Sequence, residues 1–242
     1  MRLSPQTPLS PRPLLAVAHG TRDPDGTSAT EELLARVREL RPGLEVVLAY
    51  VDVARPALPD VLATLRGDVV LVPLLLGTGF HIRVDIPEAL AAAPHVRARI
   101  TRALGPHPLL ATALADRLTE VRAPATGPVV LASAGSSDPR SRADTAAMAD
   151  LLTHRLGRPA VASYLCGGTP TPADAVAALH AEGHRRVAVS SYLMTPGFFA
   201  RKAAATPGTV TSAPLGAHDA VARLVLDRYD EASAHPCHGT TR

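Results

Sequence analysis

Two matching stretches decide the fold, LAVAHGTRDP at residues 15–24 and LASAGSSDP at residues 131–139. Each is a short apolar run followed by a Gly-x-x-Asp-Pro turn, and the two turns lie 115 residues apart. Three more blocks recur in the same order at offsets between 111 and 118: AYVD at 49–52 with SYLC at 163–166, GFH at 79–81 with GFF at 197–199, and LGPH at 104–107 with LGAH at 215–218. Two copies are too few for a solenoid, so the sequence predicts two similar halves.

Each half alternates strand and helix signals. Apolar runs predict strands at 14–18, 45–51, 69–76 and 96–101, and then at 129–133, 160–164, 187–192 and 209–212. Helical spacing of apolar residues predicts helices at 30–40, 58–65, 87–93 and 108–121, and then at 141–156, 171–182, 198–205 and 217–232. Such alternation indicates an α/β fold of two similar domains, each a parallel sheet flanked by helices.

Composition at the ends and in the middle of the chain suggests domain boundaries. We predict a first domain over 14–122, which carries the active site, and a second, degenerate domain over 128–232. The Ala- and Pro-containing segment 123–127 is the predicted linker. Segments 1–13 and 233–242 are predicted to be flexible ends.

The composition excludes several classes of protein. Of 242 residues, 46% are hydrophobic and 19% charged, which is typical of a folded globular chain. No apolar run approaches the roughly 20 residues that span a bilayer, and the N-terminus lacks a signal-peptide core, so we expect no membrane contact and a cytoplasmic location. Aromatic residues make up 3%, with no Trp, which disfavours nucleic acid as a partner despite a net charge of +3. Cys166 and Cys237 are too few for a disulfide scaffold or a four-thiolate zinc site.

Polar residues that carry chemistry follow the strands of the first half. His19 ends the first strand, Asp52 follows the second, and His81 follows the third after a Gly-rich turn. Active sites of such folds lie at the carboxyl ends of the strands, so the two imidazoles are expected to converge at one edge. Two imidazoles and a carboxylate suit a divalent first-row metal, and the same groups can accept protons.

The second half lacks this set. The positions that match His19, Asp52 and His81 are Ala134, Cys166 and Phe199. The sequence therefore predicts one metal site per chain, with the second half supplying structure and a wall for the substrate. Cys166 is predicted to be a buried, inert thiol.

The motifs HGTR at 19–22, PLLL at 73–76, GFH at 79–81 and DIP at 85–87 resemble those of the sirohydrochlorin chelatases, a family of class II chelatases. The resemblance extends from residue 14 to about residue 232, and the family's long form is also duplicated. It implies that His19 and His81 are catalytic and bind the metal, and that Asp52 matches an acidic position that is often Glu.

The resemblance also implies a reaction, the insertion of a divalent ion into sirohydrochlorin with release of two protons. Iron is favoured and cobalt is next, for siroheme or cobalamin biosynthesis. The metal is then a substrate, and no tightly bound cofactor is expected. Arg22 and Arg83 are expected to clamp the carboxylates of the substrate, and Gly79 and Phe80 to contact it. Short family members pair two chains to make what this chain contains twice, which favours a monomer.

The sequence disfavours one other interpretation and leaves two open. A histidine phosphatase also has His-Gly-Thr after a strand, but it requires Arg before the His, where this chain has Ala18. A tetrapyrrole or metal carrier would use the same ligands without turnover. A chelatase for another tetrapyrrole is the third.

The remaining histidines are predicted to have other roles. His107 and His218 recur before the last helix of each half, including the half without the site, which favours helix capping. Close spacing in the tail, His235-Pro236-Cys237-His238, is compatible with a metal but is more typical of a disordered terminus. The others are assigned to the surface: His95, His154, His180 and His184.

Overall fold

Unbroken apolar runs form two parallel sheets in the computed structural model, which describes residues 11–207 and 210–234. The strands of the first half are β1 Leu14–Ala18, β2 Val46–Tyr50, β3 Gly67–Pro73 and β4 Val96–Ile100, and those of the second are β5 Val129–Ser133, β6 Ala160–Tyr164, β7 Ala188–Tyr192 and β8 Val210–Thr211. Their orders are β2-β1-β3-β4 and β6-β5-β7-β8, so the second sheet repeats the first. All pairs of neighbouring strands are parallel, which confirms the predicted α/β class.

Helices connect the strands in both halves. They are α1 Pro24–Leu40, α2 Leu58–Thr64, α3 Ile86–Ala91 and α4 Pro108–Glu120, followed by α5 Pro139–Leu156, α6 Pro172–Ala181, α7 Phe198–Ala204 and α8 Asp219–Ser233. Proline stands in the first turn of α1 to α6, where its missing N–H has no helical partner to lose. Helix α1 begins six residues before its predicted start, because Asp23 caps it by accepting from the Asp25 N–H at 3.2 Å.

The closing helix of each half packs on the other half. Helix α8 lies against α1 and β3, whereas α4 lies against α5 and β7. One hydrophobic cluster accordingly joins buried residues of both sheets, among them Leu14, Val72 and Leu131, with residues of α8 such as Leu224. The two halves are therefore not independent packing units, although each contributes its own sheet.

In this exchange of closing helices between the halves, two arginines make equivalent hydrogen bonds from each helix to the other half. Arg228 of α8 donates from Nη2 to the Leu104 carbonyl at 2.9 Å, and Arg117 of α4 donates from Nη2 to the Leu215 carbonyl at 2.9 Å. Leu104 and Leu215 are themselves equivalent in the repeat. The same arginine-to-carbonyl contact therefore runs from each half to the other, as it would between the two subunits of a two-fold symmetric dimer.

The predicted capping histidines are confirmed. His107 accepts from the Leu109 N–H at 3.2 Å at the start of α4, and His218 accepts from the Ala220 N–H at 3.1 Å at the start of α8. Within residues 11–207 and 210–234, no helix is both long and apolar enough to cross a membrane. The tail motif His235-Pro236-Cys237-His238 lies outside the described residues, so its role stays a prediction.

The prediction of a buried Cys166 is wrong, because its side chain is exposed. The reason lies in the turn after β5, where Gly135 has φ +93° and a Cβ there would approach the Cys166 carbonyl oxygen to 1.7 Å. The backbone of Cys166 thus packs on the glycine and the thiol faces outward. The first half has the same arrangement, because Gly20 has φ +98° and a Cβ there would approach the Asp52 carbonyl oxygen to 2.0 Å.

Candidate functional site

The central strands of both sheets end at one cleft between the two halves. Its lining comes from residues within segments 18–21, 74–81, 133–136 and 192–199, together with Tyr50, Gly216 and residues of α1 and α5. The cavity has a volume of about 540 Å³, within the range of small-molecule sites. Loops that follow β1 and β3 therefore face loops that follow β5 and β7 across a space suited to an organic ligand.

His19 and His81 meet in this cleft. Their ring centroids are 4.6 Å apart, and the rings are nearly perpendicular at 88°. Strand β1 pairs directly with β3, so His19, which directly follows β1, and His81, which follows the loop after β3, can come together. The predicted convergence of the two imidazoles is confirmed.

Hydrogen bonds define which nitrogen of each ring is free. His19 Nδ1 lies 3.1 Å from the Gly20 carbonyl oxygen, and His81 Nδ1 lies 2.5 Å from Asp85 Oδ2. A carbonyl or carboxylate oxygen can only accept, so Nδ1 donates in both rings. In the neutral form each Nε2 then keeps its lone pair, which can bind a divalent ion or accept a proton.

Asp85 is a site residue to which sequence reasoning gave no role. Residues His81–Asp85 form a single π-helical turn that leads into α3, and the turn places Asp85 beside His81. The sequence feature that could have predicted this contact is the four-residue spacing of His81 and Asp85 at the start of a helix. In metal sites, a carboxylate behind a histidine fixes its tautomer and orientation.

Asp52 is not brought into the cleft lining. Its exposed carboxylate accepts from the Val53 N–H at 2.8 Å, at the end of β2. Strand β2 lies on the side of β1 away from β3, so Asp52 and His81 flank β1 from opposite sides. Among the described residues, no group of three or more His, Cys, Asp or Glu side chains is placed to hold a metal ion. A ligand role for Asp52 stays a prediction.

The residues predicted to contact substrate divide into two groups. Gly79 and Phe80 line the cleft, and 63% of Phe80 is exposed. Arg22 and Arg83 are exposed outside the lining, and Arg83 Nη1 donates to Asp138 Oδ2 at 3.1 Å. Arg83 therefore connects the first half to the second.

The matching positions of the second half offer no imidazole to the cleft. Ala134 and Phe199 are in the lining, whereas Cys166 is exposed outside it. Phe199 packs edge to face with Phe198, with ring centroids 5.4 Å apart. This half contributes an apolar wall where the first half contributes two imidazoles.

Two tyrosines of the lining are kept neutral by burial, which raises the pKa of both Tyr192 and Tyr50. The Tyr192 hydroxyl donates to the Leu76 carbonyl at 2.9 Å and so joins the halves. Neither phenol is an anion near neutral pH.

Comparison with known proteins identifies related folds. Both halves match the family model CbiX, over residues 13–121 and 128–232. SirB from Bacillus subtilis with Fe3+ is similar with a TM-score of 0.74 and 22% identity, over 93% of this chain and 96% of that chain. The sirohydrochlorin chelatase SirB from Bacillus subtilis subspecies spizizenii, in complex with cobalt, is similar with a TM-score of 0.74 and 21% identity, over 93% of this chain and 97% of that chain. CbiX, the terminal enzyme for biosynthesis of siroheme in denitrifying bacteria, is similar with a TM-score of 0.69 and 22% identity, over 91% of this chain and 99% of that chain. No curated protein sequence matches the chain.

Proposed function

Since the chain belongs to the CbiX family, we propose that it inserts a divalent metal ion into sirohydrochlorin and releases two protons from the pyrrole nitrogens. One observation carries the proposal, the contact of His19 and His81 in a cleft between the halves. Both rings keep an Nε2 lone pair while Nδ1 is engaged. A pair of such nitrogens suits both tasks of the reaction, holding the ion and accepting protons.

We further propose how the residues share the work. His19 and His81 hold the incoming metal, and Asp85 positions His81 from behind. As the metal enters the macrocycle, the imidazole nitrogens that release it become available for the pyrrole protons. Because both walls of the cleft come from one chain, a monomer is sufficient for the reaction.

For the metal, iron is the first choice and cobalt the second. Imidazole ligands accept either ion, and intrinsic affinity does not decide which one is used in a cell. Iron insertion would make siroheme, whereas cobalt insertion would lead towards cobalamin.

The test is turnover of sirohydrochlorin with ferrous and cobaltous ions, followed by the change in its absorption spectrum. His19→Ala and His81→Ala are each expected to remove most activity and to keep the melting temperature of the wild type. His154→Ala is the matched control, since His154 is exposed on α5 outside the cleft. Full activity in either cleft variant would overturn the assignment. Wild-type binding of sirohydrochlorin without any metal insertion would instead identify a carrier.

A further inference from the structure

The segment that carries His81 recurs in the second half, but only some of its residues are the same. Residues 79–83 read GFHIR, and the equivalent residues 197–201, lying 118 positions later, read GFFAR. Glycine, the first phenylalanine and the arginine recur, whereas the histidine is replaced. The second half therefore has no imidazole at this position but has the same glycine, phenylalanine and arginine.

The recurring phenylalanines are unusually exposed for their size. Phe80 is 63% exposed and Phe198 is 67% exposed, and both line the cleft, one from each half. Val53 and Val210 are also exposed, but neither lines it. Exposed aromatic rings facing a cavity indicate contact with a ligand of large apolar surface.

The recurring arginines make matching ion pairs between the two halves. Arg83 of the first half binds Asp138, which caps α5, and Arg201 of the second half binds Asp23, which caps α1. Each pair engages Nη1 of its arginine. The arginine side chains remain 48% and 69% exposed, so further N–H groups of each guanidinium face solvent.

We propose that the two Gly-Phe-x-x-Arg segments form a two-sided grip on the tetrapyrrole, in which Phe80 and Phe198 contact the macrocycle and Arg83 and Arg201 bind its peripheral carboxylates. The inference rests on the proposed function and deepens it, because it gives the half without metal ligands a direct role in substrate binding. Aromatic faces suit a flat conjugated ring, and guanidinium groups suit carboxylates.

Binding of metal-free sirohydrochlorin, in the presence of a metal chelator, tests the aromatic part separately from turnover. Phe198→Ala is expected to raise the Kd about tenfold, as is Phe80→Ala, whereas Val210→Ala is expected to leave it unchanged. Cobalt binding to Phe198→Ala should match the wild type, which shows that the metal site is intact. A Kd for Phe198→Ala within about twofold of the wild type would overturn the grip.

A second pair of variants separates substrate contact by Arg201 from a role as a tie between the halves. Arg201→Gln is expected to raise the Kd about tenfold, because it removes the charge. Asp23→Asn keeps a capping oxygen and frees the arginine, so the Kd should stay the same or fall. If Asp23→Asn weakens binding as much as Arg201→Gln, the arginine is only a tie and the proposal for it is wrong.

The same titrations distinguish failure of the grip from failure of the proposed function. A wild-type protein that neither binds sirohydrochlorin nor inserts a metal would overturn the function itself. A wild-type protein that does both, with unchanged binding in Phe198→Ala, would overturn only the grip.

Discussion

Replacing Arg228 by Met should destabilise the protein far more than replacing its equivalent, Arg117. Arg228 is 1% exposed, and its guanidinium donates to the buried Ala103 and Leu104 carbonyls at 3.0 and 2.9 Å. Hydrogen bonds from a charged group contribute about 1.5–3 kcal/mol each, and Met keeps the aliphatic volume but leaves both carbonyls unpaired. We expect a loss of about 3–5 kcal/mol.

Arg117 provides the matched control on the other side of the repeat. Its guanidinium donates to a single carbonyl, that of Leu215, and 21% of its side chain is exposed. Water can therefore replace part of the lost interaction, and Arg117→Met should cost about 1–2 kcal/mol.

Urea unfolding followed by circular dichroism measures both free energies of unfolding. Because the closing helices are exchanged, the two halves should unfold in one transition in the wild type. Equal losses of unfolding free energy in the two variants, or a larger loss for Arg117→Met, would refute the inference that Arg228 contributes more than Arg117 to holding the exchanged helices in place.

Three more predictions concern the site and the pH dependence of stability. Asp85→Asn should lower turnover about 10–100-fold at an unchanged melting temperature, because the carboxylate behind His81 is lost. Asp52→Asn should lower turnover less than either histidine variant, and an equal loss would make Asp52 a ligand. The Arg36 guanidinium lowers the pKa of Asp219, so this ion pair stabilises the protein above the usual Asp value of about 3.9 and is lost as pH falls through the lowered pKa. Asp219→Asn should thus be less stable than the wild type at pH 7, with a difference that shrinks as the pH falls below the usual Asp value, and a difference independent of pH would contradict this.

Local patterns predicted most of the fold. Strands β1, β5 and β6 were bounded correctly because apolar runs end at Gly- or Pro-containing turns. The convergence of His19 and His81 followed from strand adjacency in a parallel sheet. The capping roles of His107 and His218 followed from their recurrence in both halves.

Features that depend on contacts far apart in sequence were not predicted. The exchange of α4 and α8 is set by which sheet each apolar helix face covers, and both sheets offer similar apolar surfaces. One local feature was also missed, because the π-helical turn that joins His81 to Asp85 has no periodicity of its own. The ion pair of Arg83 joins residues 55 positions apart, and only the folded chain brings Asp138 to it.

The most direct test of the central claim is a titration with cobaltous ion in a variant without the His and Cys side chains of the tail, His235→Ala/Cys237→Ser/His238→Ala. If His19 and His81 hold the substrate metal, this protein binds one ion per chain with the spectrum of nitrogen ligation, and adding His19→Ala and His81→Ala abolishes the binding. Two equivalent ions per chain, or a tight ion that survives the loss of both histidines, would contradict the account.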